Sequence, residues 1–190
     1  MKLAVLASGN GSNFEAIVQA VEAGQIPAEI VLLFADHHDA YVMERAKKHR
    51  IPCASFELKE FENKQAYEKA LLELLAEHQV ELIILAGYMR IIGPGLLEAY
   101  PNRIVNIHPA LLPSFPGLHG IRDAFEAKVS ETGVTVHYID SGVDTGPIIA
   151  QEAVAVDPAD TLEQLEEKIH QVEHQLYPRV IAEIVKEIQA

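Results

Sequence analysis

The sequence predicts an α/β fold built on a single doubly wound, mostly parallel sheet, and three observations point to it. Short apolar, strand-like runs recur at residues 3–7, 30–35, 53–56, 82–86, 104–107, 134–139 and 148–156. Helical stretches separate the first five, and that alternation gives parallel strands joined by right-handed crossovers. The last two runs are joined by a short polar loop instead, so an antiparallel element is expected at that edge.

The elements follow in order. Leu3-Ala4-Val5-Leu6-Ala7 reads as a buried strand; it is too short, and too soon followed by Gly9-Asn10-Gly11, to be a secretory signal. Phe14, Ile17, Val18 and Val21 then fall at i, i+3, i+4 and i+7, one face of a helix that Gly24 and Pro27 stop. The run at 53–56 holds the only cysteine, Cys53, which has no disulfide partner and sits in an apolar stretch as a core residue rather than a nucleophile. Ala70, Leu71, Leu74 and Leu75 set one apolar face on a helix over 64–78. Leu82-Ile83-Ile84-Leu85-Ala86 is apolar on both faces, as a central parallel strand must be. Asp160 with Glu163 reads as the N-cap and N3 pair of a final helix whose stripe is Leu162, Leu165, Ile169, Val172 and Leu176. Pro178 is expected to kink or restart that helix.

Composition bounds the function. The 190 residues suit one buried domain, 1–190, because no Pro/Gly/Ser-rich tract or charge shift marks a boundary. Apolar residues make up 49% of the chain. None of their runs approaches the roughly 20 residues of a membrane span, so a soluble, cytoplasmic protein is expected. A formal net charge of −13, from 28 acids against 15 Lys plus Arg, argues against a nucleic-acid partner. Small anionic ligands remain open, since backbone amides and a few cations can hold a phosphate locally. No sequence feature specifies an oligomeric state.

If the first, fourth and fifth strands run parallel, their C-terminal ends share one sheet edge. Ser8-Gly9-Asn10-Gly11-Ser12-Asn13, Gly87-Tyr88-Met89-Arg90 and Asn106-Ile107-His108 all lie there. The first loop departs from a dinucleotide fingerprint, because Phe14 occupies the third glycine position. Its physics survives: Gly11 permits close approach, and the amides of Gly11, Ser12 and Asn13 at a helix start can bind a phosphate. The Gly87–Ile92 segment offers an aromatic, a thioether and a cation against which a flat heterocycle could lie, although a core edge with a surface arginine has the same composition. Asp144 sits in a turn-rich segment, 140–147. A carboxylate reaching His108 would favour its imidazolium and accept a proton, while the Asn106 amide could donate to a developing oxyanion. Such a set moves an acyl-type group between substrates that bring their own nucleophile. Of nine histidines, the His37-His38 pair lacks helical i, i+4 spacing, and neither H-E-x-x-H nor a Cys/His ligand pair occurs. No metal site is expected, and His37 and His38 read as surface loop residues.

These segments, with Ala86 before the second, Pro109-Ala110-Leu111-Leu112-Pro113-Ser114-Phe115-Pro116-Gly117 continuing the third and Asp144-Thr145-Gly146-Pro147-Ile148-Ile149, closely resemble the phosphoribosylglycinamide formyltransferases over nearly the whole length. Asn-x-His with Asp marks the wider folate-dependent formyltransferase group; the Ser-Gly-Asn-Gly-Ser-Asn opening and Glu173-His174-Gln175-Leu176-Tyr177-Pro178 narrow it. The resemblance implies formyl transfer from 10-formyltetrahydrofolate to the amine of glycinamide ribonucleotide, in purine biosynthesis. It implies that Gly11, Ser12 and Asn13 hold the phosphate and Glu173 a ribose hydroxyl. Met89, Arg90, Ile91, Ile92 and Asn106 would flank the folate, with Lys64 near the donor. Asn106 and protonated His108 would stabilise the oxyanion, and Asp144 would keep His108 charged and assist proton transfer through water. His170, one turn before Glu173, receives no role. A formyltetrahydrofolate hydrolase shares Asn, His and Asp, but its relatives usually carry an N-terminal regulatory domain, whereas Met1 here begins the first strand. A transfer-RNA formyltransferase would need a basic C-terminal domain. A non-catalytic nucleotide-binding module would require the Asn106, His108 and Asp144 coincidence to be accidental.

Overall fold

In the computed structural model, which describes residues 1–190, the strands are β1 (Lys2–Ala7), β2 (Glu29–Ala35), β3 (Cys53–Ser55), β4 (Leu82–Leu85), β5 (Ile104–His108), β6 (Glu131–Tyr138) and β7 (Ile148–Ala155). They form one sheet in the order β3-β2-β1-β4-β5-β6-β7. The first five pair in parallel, and β6 and β7 add an antiparallel edge. The helices are α1 (Ser12–Glu22), α2 (Val42–Lys48), α3 (Lys64–Glu77), α4 (Pro94–Ala99), α5 (Gly120–Glu126) and α6 (Leu162–Gln189). The short α5 carries no clear periodicity and was not foreseen by the apolar pattern. No helix is long and apolar enough to cross a membrane.

Strand alternation divides the core between the two sheet faces. Leu3, Val5 and Ala7 of β1 pack with Phe14 and Ile17 of α1 and Val180 and Ile181 of α6. Ala4 and Leu6 turn to the other face, against Tyr67, Leu71 and Leu75 of α3 and Leu96 of α4. The buried line of α3 is thus Tyr67, Leu71 and Leu75, whereas Ala70 and Leu74 are half-buried at its margin.

The final helix departs from expectation at both marked points. Its N-cap is Thr161, not Asp160: Thr161 Oγ1 accepts from the Gln164 amide at 3.2 Å and Gln164 Oε1 accepts from the Thr161 amide at 2.9 Å. This reciprocal pair satisfies two end amides, while Asp160 accepts from the Asp157 amide and from Lys168. Pro178 neither kinks α6 into two elements nor restarts it; the helix runs 28 residues through it. Pro178 is itself buried among Leu176, Tyr177, Val180 and Ile181, so packing offsets the lost amide donor.

Tyr177 ties this helix to the functional edge of the sheet. Its hydroxyl lies 2.7 Å from the carbonyl of Leu85, the last residue of β4, and 3.1 Å from that of Val105 in the neighbouring β5. Complete burial pushes the phenol far above its ordinary pKa, so it acts as a neutral donor. Tyr177→Phe is expected to destabilise the fold by about 1–2 kcal/mol, because buried carbonyls lose their donor. Urea denaturation with an unchanged midpoint would contradict that role.

Candidate active site

The three loops expected at one edge do meet there. Ser8 links the first two: its amide donates to the Gly87 carbonyl at 3.0 Å and its hydroxyl accepts from the Met89 amide at 2.8 Å. Two adjoining cavities result. One, of about 480 Å³, is lined by Ser8 through Asn13, His37, His170 and Glu173. The other, of about 320 Å³, is lined by Met89, Arg90, Ile91, Ile92, Asn106, His108, Leu118, Val143 and Asp144 among others. Gly87, Met89, Ile107 and Pro109 border both, so the cavities meet over the ends of β4 and β5.

Backbone conformation builds the first cavity. Gly11 caps α1 with φ 81°, and no side chain caps the helix, so the amides of Ser12 and Asn13 have no side-chain partner. A Cβ at Gly11 would lie 2.4 Å from Val42 Cγ2, so the position tolerates only glycine on both conformational and steric grounds. Arg45 braces the loop, donating from Nε to the Asn10 carbonyl and from Nη2 to Asn10 Oδ1, both at 2.8 Å. Glu173 is buried on α6 and accepts from His170 Nδ1 at 2.8 Å.

The second cavity has an apolar mouth. Met89, Ile91, Leu118 and Val143, four of the six large hydrophobic side chains exposed on the protein, all line it. Unburied apolar groups gathered around one concavity suit a flat apolar ligand rather than solvent. Arg90 is held on its far side, with Nε 2.9 Å from Oδ2 of the fully buried Asp36. Lys64 does not join this group. It is exposed at the first turn of α3 and lines neither cavity, although Tyr67, one turn further on, meets the Tyr88 hydroxyl at 2.8 Å and so brings the start of α3 beside the 88–90 segment.

Asn106, His108 and Asp144 come together at the floor. His108 is buried, and its Nε2 donates to the Phe115 carbonyl at 2.7 Å. That fixes the tautomer and leaves Nδ1 facing Asp144 Oδ2 at 3.6 Å. The separation is too long for a direct hydrogen bond, so the close contact expected from sequence is looser than foreseen. Asp144 itself accepts from the Gly117 amide at 2.8 Å and holds φ 54°. Phe115 also has positive φ, 52°, a strained state for an aromatic residue, and it aims the carbonyl at His108.

Sequence reading missed the layer behind these groups. β6 pairs with β5 so that Asn106 faces His137 and His108 faces Thr135. His137 Nδ1 donates to the Tyr138 carbonyl at 2.9 Å, leaving a lone pair on Nε2 for Asn106 Nδ2 at 3.4 Å. Burial lowers the His137 pKa despite the nearby Asp144 and keeps the ring neutral; its 3.7 Å approach to Asp144 is therefore not an ion pair. Thr135 Oγ1 donates to the Ala110 carbonyl at 2.7 Å and accepts from the Leu112 amide and Gln151, pinning the loop after His108. The alternation of Thr135 and His137 on one strand was the available signal, but their register against β5 was not.

No serine or cysteine is activated by His108, and no cluster of His, Cys, Asp and Glu has metal-binding geometry. A third and larger cavity, about 920 Å³ between α1 and α6, contains none of Asn106, His108 or Asp144. Chemically, the site can present an amide donor, an imidazole and a carboxylate to groups arriving from two sides.

The chain is similar to known proteins over nearly its whole length. A phosphoribosylglycinamide formyltransferase from Bacillus subtilis (strain 168) is 54% identical over 184 residues, spanning 97% of this chain and 94% of that one. The crystal structure of a phosphoribosylglycinamide formyltransferase from Bacillus halodurans superposes with a TM-score of 0.96 at 52% identity, covering 99% of this chain and 97% of that one. That of glycinamide ribonucleotide transformylase 1 from Geobacillus kaustophilus gives 0.95 at 53% identity, covering 97% and 98%. The profile of the formyl transferase family matches residues 1–181, and the chain belongs to that family.

Proposed function

We propose that the protein transfers the formyl group of 10-formyltetrahydrofolate to the amine of glycinamide ribonucleotide, a cytoplasmic reaction between small molecules. The observation that carries this reading is the meeting of an anion-binding cavity and an apolar-mouthed cavity over Asn106, His108 and Asp144, with no protein nucleophile. The ribonucleotide phosphate is held by the Gly11, Ser12 and Asn13 amides, and Glu173 accepts from a ribose hydroxyl. Met89, Ile91 and Ile92 fit the flat faces of a pterin, and the backbone of residues 89–92 supplies its polar partners. Arg90, committed to Asp36, acts here by placing that segment.

As the amine attacks the formyl carbon, negative charge develops on the formyl oxygen. The second Asn106 Nδ2–H, free of His137, and an Nδ1–H on His108 donate to it. Such preorganised donors are worth far more inside a cavity than in water. Asp144 balances the His108 cation and accepts, directly or through water, the proton the amine must lose. Collapse then expels the folate nitrogen, which takes a proton. No step calls on a metal, so activity is expected to survive exhaustive chelation; loss that added zinc restores would sink that part of the mechanism.

The test of the reading is to follow tetrahydrofolate release from 10-formyltetrahydrofolate with and without glycinamide ribonucleotide. Release should require the amine; release that ignores it would point to a hydrolase. For the phosphate assignment, Gly11→Ala should raise KM for the ribonucleotide at least about tenfold, through the Val42 clash and distortion of the amides, while KM for the donor stays nearly constant. Equal weakening of both substrates would count against it.

A further inference from the structure

We propose that His170 is a proton-linked specificity residue of the anion cavity, its imidazolium offsetting the Glu173 carboxylate so that a dianionic phosphate can enter. This rests on the assignment of that cavity to the ribonucleotide. The problem it solves is electrostatic. The cavity that must accept a phosphate already contains a carboxylate whose side chain is only 6% exposed, in a chain of formal charge −13. The backbone amides at the start of α1 carry partial charges only, and Arg45 is spent on Asn10 and Glu15.

His170 lies on the cavity wall one turn before Glu173 on α6, and its side chain is half-exposed. The bond from its Nδ1–H to Glu173 Oε1 is 2.8 Å. Other charges face it from every side. Glu166 stands one turn earlier on α6, and the His174 ring stacks one turn later at 6.4 Å. Arg45 of α2 lies near His174, and His37, after β2, lines the same cavity. The bond to Glu173 raises the His170 pKa over the opposing effect of burial, whereas burial first, and then His170 and Arg45, keep His174 low. His170 therefore holds its proton to higher pH than His174 does.

The sign follows. At low pH the His170–Glu173 pair is neutral as a unit; as pH rises through the elevated His170 titration, Glu173 is left as a bare anion facing the phosphate. Affinity for the ribonucleotide falls there, by roughly 5- to 30-fold for one charge several ångströms away in a partly solvated cavity. The phosphate and the substrate amine titrate too, so the difference between variants isolates the histidine.

The experiment measures KM for glycinamide ribonucleotide and kcat between about pH 5.5 and 9 for the wild type, His170→Gln and His170→Lys. Calorimetry in buffers of different ionisation enthalpy then counts protons taken up on binding. The wild type should lose affinity at high pH and take up a proton near its titration. His170→Gln should bind weakly throughout, without that uptake, and His170→Lys should keep tight binding at high pH; kcat and the donor KM should move little in either. Superimposable pH profiles for wild type and His170→Gln, or a Lys variant as weak as Gln, would overturn the proposal. Should Gly11→Ala leave ribonucleotide KM unchanged as well, the cavity assignment itself would fall.

Discussion

His108→Ala is expected to lower kcat by roughly 10³- to 10⁴-fold, with both KM values changing less than about tenfold, because the lost donor acts on charge that exists only in the transition state. At about 1.4 kcal/mol per factor of ten, this corresponds to about 4–5.5 kcal/mol of differential stabilisation. The ring is buried at the cavity floor, so solvent does not replace it well. The truncation also strips the Phe115 carbonyl of its donor. Circular dichroism and the urea midpoint separate that local effect from chemistry. Asn106→Ala, which removes the other donor to the same oxygen, should lose about 10²- to 10³-fold. The double variant should lose far less than the product of the two, as groups acting on one charge do. A His108→Ala enzyme within tenfold of wild-type kcat would remove His108 from the chemistry.

Much of this arrangement was legible in the sequence because the signals were periodic or local. Apolar runs separated by helical patterns fixed the parallel portion of the sheet, and parallel strands must deliver their C-terminal loops to one edge. That is why the sequence pattern alone brings Gly11, Met89, Asn106 and His108 to one edge. Asp144 followed only by its chemistry, since its approach depends on the turn after β6 and on the Gly117 amide. Capping was misread by one residue because Asp160 and Thr161 are both competent caps, and only the Gln164 pairing chooses between them. Pro178 was misread because local propensity predicts a break, while the burial of α6 on both sides of it overrides propensity. Lys64 stands outside both cavity linings at the exposed start of α3, where the sequence marks the helix but not how far a long side chain reaches. His137 and Thr135 were invisible because a strand's alternation does not reveal its register with a neighbour.

Asp144→Asn isolates charge more cleanly than any other substitution at the site. Asparagine is among the few residues that accept positive φ, here 54°, and its amide oxygen can still accept from the Gly117 amide. The loop that presents Phe115 to His108 should therefore keep its shape, and only the negative charge is lost. Without that charge the site has an imidazole 3.6 Å from a neutral amide, and nothing to balance an imidazolium or accept the amine's proton. His137 cannot substitute, since burial keeps it neutral and its Nε2 lone pair is turned to Asn106. The expected result is a kcat lower by roughly 10²- to 10⁴-fold with KM for both substrates nearly constant, measured as single-turnover formyl transfer. Asp144→Ala adds loss of the Gly117 bond and so should lose at least as much, together with a lower urea midpoint. If Asp144→Asn turned over at nearly the wild-type rate while Asp144→Ala was impaired, the carboxylate would be a turn residue that supports the 115–117 loop. The paired histidine and aspartate would then have to be abandoned as the proton-handling unit.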